Sequence, residues 1–382
     1  MPSEPRSLGE NIEGDLTTCP LDTRGSTAFA ASARELGFPN EPDKNAQGTP
    51  GFGPVPSNAV DGLRLNTGVS YLRAALDRPN LTVLGNSRVL RVAIANGRAT
   101  GVLVDHGGRR TALDAGQVVL CAGSFVTPQL LHLSGVGPRA DLERLGLPVL
   151  KDAPAVGARF GDHPQVVLEW APRQDLGAPT DSWLGGCLHV SSSDGAHEGD
   201  LEVLQSLTPM AALVGGTVTF PGAPLPFLLS AQTPRRTGSL RLRSADSATP
   251  PRIDYGYLRA PEDRPRLREV VRIAAELTAT RAFGEVSSGL LGPDPGTLAD
   301  DRALDAWIAG RLGTAHHTCG TAPMGPADDP ATVVDQYGRV HGVTGLRVAD
   351  TSILPDAPSR GPAATAVLIG GLVAHAMRHD LP

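Results

Sequence analysis

Aromatic residues are scarce in this chain of 382 residues: Phe, Trp and Tyr together make up 4% of it. That scarcity argues against an aromatic cage, the device that holds quaternary ammonium ligands. Basic runs are missing too. With 34 Lys and Arg against 40 Asp and Glu, net charge −6 and no basic cluster, nucleic acid is not an expected partner. The four cysteines, Cys19, Cys121, Cys187 and Cys319, show neither a CxxC pair nor framework spacing, so reduced thiols and a cytoplasmic location are expected. The longest apolar stretch, near the C-terminus, is too short to cross a bilayer, so no transmembrane segment is expected. The opening MPSEPRSLGENIEGD is polar and acidic where a secretory leader needs a basic stretch and an apolar run. Glycine (45) and proline (34) are abundant, but an apolar content of 40% makes them signs of many turns and not of disorder. The length is sufficient for a large core and two lobes.

Periodicity orders the chain. AFAASARELG (28 to 37) predicts a short helix stopped by Gly37 and Pro39, and VSYLRAALD (69 to 77) a second. LTVLG, RVLRVAIA, ATGVLVD and RRTALD predict a small antiparallel sheet with turns at Asn96-Gly97 and Gly107-Gly108. QVVLCAG is a continuous apolar run of the type buried in a parallel sheet, and a helix from Thr127 to Leu133 follows it. Between 163 and 257 the strand candidates are PQVVLEW, CLHVSS, TVTFPG, PFLLSA and SLRLRS. A helix over 261 to 280 carries Leu267, Val270, Val271, Ala274 and Leu277 on one stripe, and another is expected over 302 to 312. The late strand GLRVAD and the apolar helix after it are expected to partner QVVLCAG and not the middle of the chain, giving a discontinuous first lobe.

The most informative passage is HHTCGTAPMG (316 to 325), followed by GLRVAD, SILPDAPSRGPAAT and the last helix. Pro362 suits the first helical position, Gly361 then falls at the N-cap, and residues 363 to 377 are apolar almost all round, the pattern of a buried helix. The free N–H groups and positive dipole end of that helix face either a loop oxygen or water, or an anion or developing negative charge. A histidine on the preceding loop supplies a base near neutrality.

Four ordered stretches resemble the glucose-methanol-choline (GMC) flavin oxidoreductases: GSFVTPQLLHLSGVG (123 to 137), VGARFGDHP (156 to 164), the HxxGTxxMG pattern at 317 to 325, and VHGVTGLRVADTSILP (340 to 355). The likeness runs from about residue 28 to the end. It implies an α/β fold, with a partial Rossmann-like FAD-binding lobe and an α+β substrate lobe built on an antiparallel sheet. The implied segments are 1 to 62, partly loose; 63 to 162, the first part of the FAD lobe; 163 to 312, the substrate lobe; and 313 to 382, the catalytic loop with the rest of the FAD lobe. The implied activity is oxidation of a small-molecule alcohol to a carbonyl with FAD; the electron acceptor is left unnamed. His317 takes the place of the family's catalytic histidine. Val89, Ala349, Asp350 and Pro362 fall at cofactor-binding positions.

The sequence departs from the family in two places. Gly361 stands where a second His or Asn is usual, which leaves His316 or a backbone N–H as the substitute donor to the substrate oxygen. SRGPAAT and TAHHTCGTAPMG together resemble a mycofactocin-associated branch. The front has no GxGxxG turn to hold a pyrophosphate on a helix N-terminus, since GFG at 51 to 53 runs into PVP. Met1 falls inside a family-like region, so a start assigned too late is expected, and a truncated or flavin-free relative is the alternative. Loss of parallel strands is expected to expose the apolar face of QVVLCAG. A metal held by His316, His317 and Cys319 is a further alternative, while no metal is expected on the first reading. His132 reads as a core residue, His163 as a structural hydrogen-bonding residue, and Cys319 as a thiol without thiolate-stabilising charge.

Overall fold

A computed structural model describes residues 17–18, 21–46, 48–60, 63–174, 176, 182–194, 197–213, 215 and 222–379. Cys19, most of residues 1 to 22 and all but the last residue of TVTFPG lie outside them. Helix α1 (Arg24–Glu35) begins earlier than its apolar pattern, because Thr23 and Ser26 form a reciprocal capping box. Strand β1 is Phe52–Pro54. The VSYLRAALD segment forms a π-turn at Gly68–Leu72 running into a single α-turn, Arg73–Ala75. Strands β2 (Ser87–Ala95), β3 (Arg98–His106) and β4 (Arg109–Asp114) make the expected antiparallel sheet, whereas LTVLG is not a strand. Asn96 and Gly97 both take positive φ (50° and 72°), as do Gly107 and Gly108, which is the twist a two-residue hairpin demands.

Strand β5 (Val118–Leu120) feeds helix α2 (Gly123–Leu133). Then come β6 (Pro164–Pro172), β7 (Leu184–Val190), β8 (Leu201–Ser206), β9 (Leu225–Ala231), helix α3 (Asp263–Ala279), β10 (Ser287–Leu290), α4 (Asp301–Ala309), β11 (Leu312–Thr314), β12 (Leu346–Val348) and α5 (Ala363–Arg378).

The chain divides into two compact units. One comprises Met1–Asp77, Pro164–Thr233 and Pro261–Ala315. It is built on the antiparallel order β10-β6-β9-β8-β7-β1, with β11 also paired to β6. The five stripe residues of α3 are fully buried, as are Trp170, Phe227 and Phe283, whose rings meet edge-on or tilted. Gly186 on β7 leaves room for Phe29 of α1, because a Cβ there would come within 2.3 Å of the ring. Cys187 and His189 therefore point to the opposite face of the sheet from Gly186 and Leu188.

The other unit comprises Arg78–His163, Pro234–Ala260 and His316–Pro382. Strand β12 pairs in parallel with β5, with Leu346 beside Val118 and Val348 beside Leu120, which joins residues more than two hundred positions apart in sequence as the apolar pattern required. Val118 and Leu120 are buried and Val119 is half-buried, while Cys121 and Ala122 are exposed, so the expected apolar exposure of QVVLCAG is confined to the end of the run. The segment 234 to 260, expected in the substrate lobe, belongs to this unit, and residues 63 to 77, expected in the FAD lobe, belong to the other. The first shift has a clear cause: the hairpin of Ser239–Arg241 and Arg252–Asp254 brings Tyr255 against Phe160 and the Tyr257 hydroxyl to Asp162.

Helix α5 corrects two expectations. Its N-cap is Pro362, not Gly361, and only Ile369, Val373 and Ala376 are buried. Leu368 and Leu372 are 51% and 58% exposed, because one stripe of the helix packs on the core cluster around Val348 and Ile353 while the opposite stripe faces out.

Candidate active site

Asp162 organises the site. Its Oδ1 accepts the backbone N–H of His163 at 2.9 Å and that of His317 at 2.7 Å, and its Oδ2 accepts the Tyr257 hydroxyl at 2.7 Å. The carboxylate is 3% exposed, so these bonds act in a low-dielectric setting and tie the GDHP loop to the HHTCG loop. Gly161 and Cys319 complete the tie with reciprocal backbone bonds of 3.1 and 2.9 Å. A Cβ on Gly161 would meet Arg236 at 2.9 Å, which accounts for glycine there. His316 adopts φ +61°, a left-handed conformation uncommon for a residue with a side chain, and so turns the chain sharply just before His317.

The His317 ring meets a second histidine at one edge and lies beside Gly361 at the other. Its Nδ1 lies 2.9 Å from His163 Nδ1, with the two rings nearly perpendicular at 83°. On the other edge, a Cβ built at Gly361 would lie 3.5 Å from His317 Nε2. The absent side chain at 361 thus sets the Nε2 edge beside the start of α5, whose N-cap Pro362 makes no side-chain capping bond. The His317 imidazole and the residue just before the last helix thus lie side by side within this unit.

The loop beyond His317 is held from below. Ser124 Oγ donates to the Thr318 carbonyl at 2.6 Å, Thr351 Oγ1 donates to the same carbonyl at 2.9 Å, and Thr321 Oγ1 donates to the Ser124 carbonyl at 2.9 Å. The backbone N–H groups of Gly320, Ala322 and Met324 donate to the carbonyls of Thr351, Ser352 and Ile353. Asp350, expected near a cofactor, has its carboxylate engaged within the protein: it accepts from Gly123 N–H at 2.9 Å, Thr127 Oγ1 at 2.6 Å, Ser352 N–H at 2.8 Å and the Ser352 hydroxyl. It anchors the N-terminus of α2, which has no side-chain cap of its own. Ala349 is buried, with its N–H donating to Leu120, and Val89 packs half-buried against the same core opposite Val104.

The remaining candidates are not reactive. Burial pushes the Cys319 thiol up to about 12, the pull of Arg236 being outweighed with help from Asp162 and Asp356, so it supplies neither a thiolate nucleophile nor a ready metal ligand. His316, His317 and Cys319 do not form a metal group; among the described residues the ligand-type atoms that converge are those of Cys187, His189 and Glu202. His132 is 2% exposed, and burial pushes its imidazole down to about 4 against the charge of Asp141. It fills the space left by Gly137, where a Cβ would come within 2.4 Å of its ring.

A flavin is the group that the resemblance implies, and the residues present fit its ring end: a side-chain-free position beside a fixed imidazole, next to an uncapped helix start. The phosphate end has no counterpart GxGxxG turn in this sequence.

Comparison with known proteins identifies the family. The N- and C-terminal family profiles of GMC oxidoreductase match residues 10–165 and 234–370. An uncharacterized GMC-type oxidoreductase from Rhodococcus erythropolis is 37% identical over 378 residues, covering 95% of this chain and 71% of that protein. The oxygen-dependent choline dehydrogenase of Rhizobium etli is 33% identical over 353 residues, covering 86% of this chain; the chain spans 63% of that protein's length. Pyridoxine 4-oxidase from Mesorbium loti superposes with a TM-score of 0.87 at 26% identity, over 95% of this chain and 72% of its own. A formate oxidase superposes with a TM-score of 0.85 at 21% identity, over 94% of this chain and 70% of its own, which bears on the fold alone. The chain belongs to the GMC oxidoreductase family.

Proposed function

We propose that this protein oxidises an alcohol to a carbonyl, with His317 as the base that takes the hydroxyl proton. The observation that carries the reading is the setting of His317: its Nδ1 lies 2.9 Å from His163 Nδ1, and its Nε2 edge lies beside Gly361, just before the last helix. FAD, when bound, supplies the acceptor for the two electrons of the departing hydride. Hydride leaves carbon readily only when the oxygen becomes alkoxide-like, so a base of near-neutral pKa is required at that oxygen.

The His163 contact couples the tautomers of the two rings. Two imidazole nitrogens 2.9 Å apart need one donor and one acceptor. If His317 Nδ1–H donates to His163 Nδ1, the lone pair of His317 is left on Nε2, where the substrate proton must go. His163 is then a positioning residue for the base. Gly361 supplies no second side-chain donor to the substrate oxygen; His316 and the backbone N–H groups at the start of α5 are the candidates for that task. Pro362 positions that helix start. Alcohol metabolism linked to mycofactocin is the finer form of the proposal, motivated by SRGPAAT and TAHHTCGTAPMG.

The alternative reading is a flavin-free relative. Titration of the purified protein with FAD, followed by anaerobic exposure to a panel of primary and secondary alcohols, separates the two. Bound flavin that bleaches at its visible band supports the oxidation reading. A protein that leaves FAD free in solution sinks it.

A further inference from the structure

The antiparallel sheet of the first unit carries a second cluster of reactive side chains that the oxidation chemistry does not use. Cys187 and His189 are two residues apart on β7 and therefore share one face. Glu202 on β8 lies directly across from His189 in the ladder, on the same face. All three are close to fully buried, at 3%, 2% and 8% exposure.

Their ligand atoms form a triangle. His189 Nε2 is 3.6 Å from Cys187 Sγ and 3.1 Å from Glu202 Oε2, and Sγ to Oε2 is 3.9 Å. Zn–S near 2.3 Å and Zn–N or Zn–O near 2.0 Å at tetrahedral angles set ligand atoms ~3.3–3.6 Å apart, so the triangle needs adjustments of only a few tenths of an ångström to close on zinc. A thiol, an imidazole and a carboxylate form a donor set suited to that ion, and three protein donors are the number of a zinc centre that keeps one position for a small ligand.

The surroundings match a metal site as well. His189 Nδ1 lies 3.3 Å from Glu41 Oε2, so the ring nitrogen away from the triangle meets a carboxylate, as in carboxylate–histidine–zinc arrangements. Glu41 is fixed in turn by Lys44 Nζ at 2.6 Å and Gly51 N–H at 3.1 Å. The second oxygen of Glu202 accepts from Ser230 Oγ at 3.3 Å, and Ser230 Oγ accepts from Gln232 Nε2 at 2.7 Å. Two of the three donors are thus oriented by a further layer of hydrogen bonds. Charge also balances: a thiolate and Glu202 neutralise a divalent cation, while Lys44 neutralises Glu41.

We propose that Cys187 Sγ, His189 Nε2 and Glu202 Oε2 bind a divalent transition-metal ion of the zinc class, with Glu41 and Ser230 orienting the ligands. The site ties β7, β8 and the segment around residue 41 together and stands independently of the flavin reading. The rival is a metal-free network in which a protonated His189 donates to Glu41 and Glu202.

Cobalt distinguishes them, because a thiolate ligand to Co2+ gives a charge-transfer band in the near ultraviolet that a protonated network lacks. The purified full chain, stripped with a chelator and titrated with Co2+, is expected to develop that band to saturation at one ion per chain, and elemental analysis after zinc loading is expected to give the same stoichiometry. Cys187→Ser should lose the band, Glu202→Gln should weaken binding at least tenfold, and Cys319→Ala should leave both unchanged, with circular dichroism checking that each variant is folded. Absence of the band in folded wild-type protein, or its survival in Cys187→Ser, overturns the proposal. If Cys187→Ser does not fold, the band and stoichiometry of the wild type, with Glu202→Gln, decide the matter alone.

Discussion

Asp162 is the residue whose removal should separate the scaffold of the site from its chemistry. Asp162→Ala leaves three donors without their acceptor: the backbone N–H groups of His163 and His317, and the Tyr257 hydroxyl. At about 1–3 kcal/mol for each buried donor left unsatisfied, the loss is on the order of 3–9 kcal/mol, a large share of a typical stability. Asp162→Asn keeps one oxygen for the two N–H groups, and the tyrosine hydroxyl can turn to accept from the new amide, so its cost should stay below about 2 kcal/mol. Tyr257→Phe removes the hydrogen bond to the Asp162 carboxylate, together with a longer one of 3.5 Å to the His163 carbonyl, and should cost about 1.5–3 kcal/mol. Urea unfolding with linear extrapolation measures all three. Activity should fall more steeply than stability under conditions where each variant is folded, because a shift of about 1 Å at the base costs on the order of 10²-fold. Equal stability of Asp162→Ala and wild type would refute the claim that this carboxylate holds the two loops. So would Asp162→Asn proving as damaging as Asp162→Ala.

Other expectations follow from the same structure. Burial holds the folded-state pKa of His132 at about 4 against an ordinary value of 6.5, so the unfolded chain binds the proton more readily; the stabilisation is full above pH 6.5 and is lost as pH falls toward 4, by about 3 kcal/mol. Chemical denaturation from pH 7 to pH 4 should show that component in wild type and lose it in His132→Gln, measured as the difference in slope. Gly361→Ala puts a methyl group in ordinary contact with His317, 3.5 Å from Nε2, so the melting temperature should barely move while substrate turnover falls by about tenfold or more. A stable variant with unimpaired turnover would show that the Nε2 edge is not where substrate sits.

Much of the scaffold was legible because local patterns and tertiary packing agree. The Asn96-Gly97 turn, the α3 stripe and the parallel partnership of QVVLCAG with GLRVAD each combine a strong local signal with a burial pattern that has one solution. LEVLQS does not read as strand β8 because Glu202 and Gln205 interrupt its apolar residues, and both polar side chains are buried by partners on other elements, His189 and the start of α1. The last helix misled for the opposite reason. Its composition is apolar all round, yet its burial depends on what packs against each stripe, which no single-helix pattern contains. Gly361 beside His317 was readable from motif order, but the contact between His163 and His317 spans 154 residues and depends on how Asp162 joins the two loops. The DHP motif was the one available signal for it. Likewise, the Cys187-x-His189 alternation was visible in the sequence, whereas its pairing with Glu202 required the register between two strands.

The most direct test of the oxidation account is the rate of anaerobic flavin reduction by an alcohol, followed by stopped flow in FAD-loaded protein across pH 6 to 9. The account predicts that His317→Ala slows reduction by ~10²- to 10⁴-fold at every pH in that range with flavin still bound. A His317→Ala protein that reduces its flavin within a few-fold of the wild-type rate would contradict it.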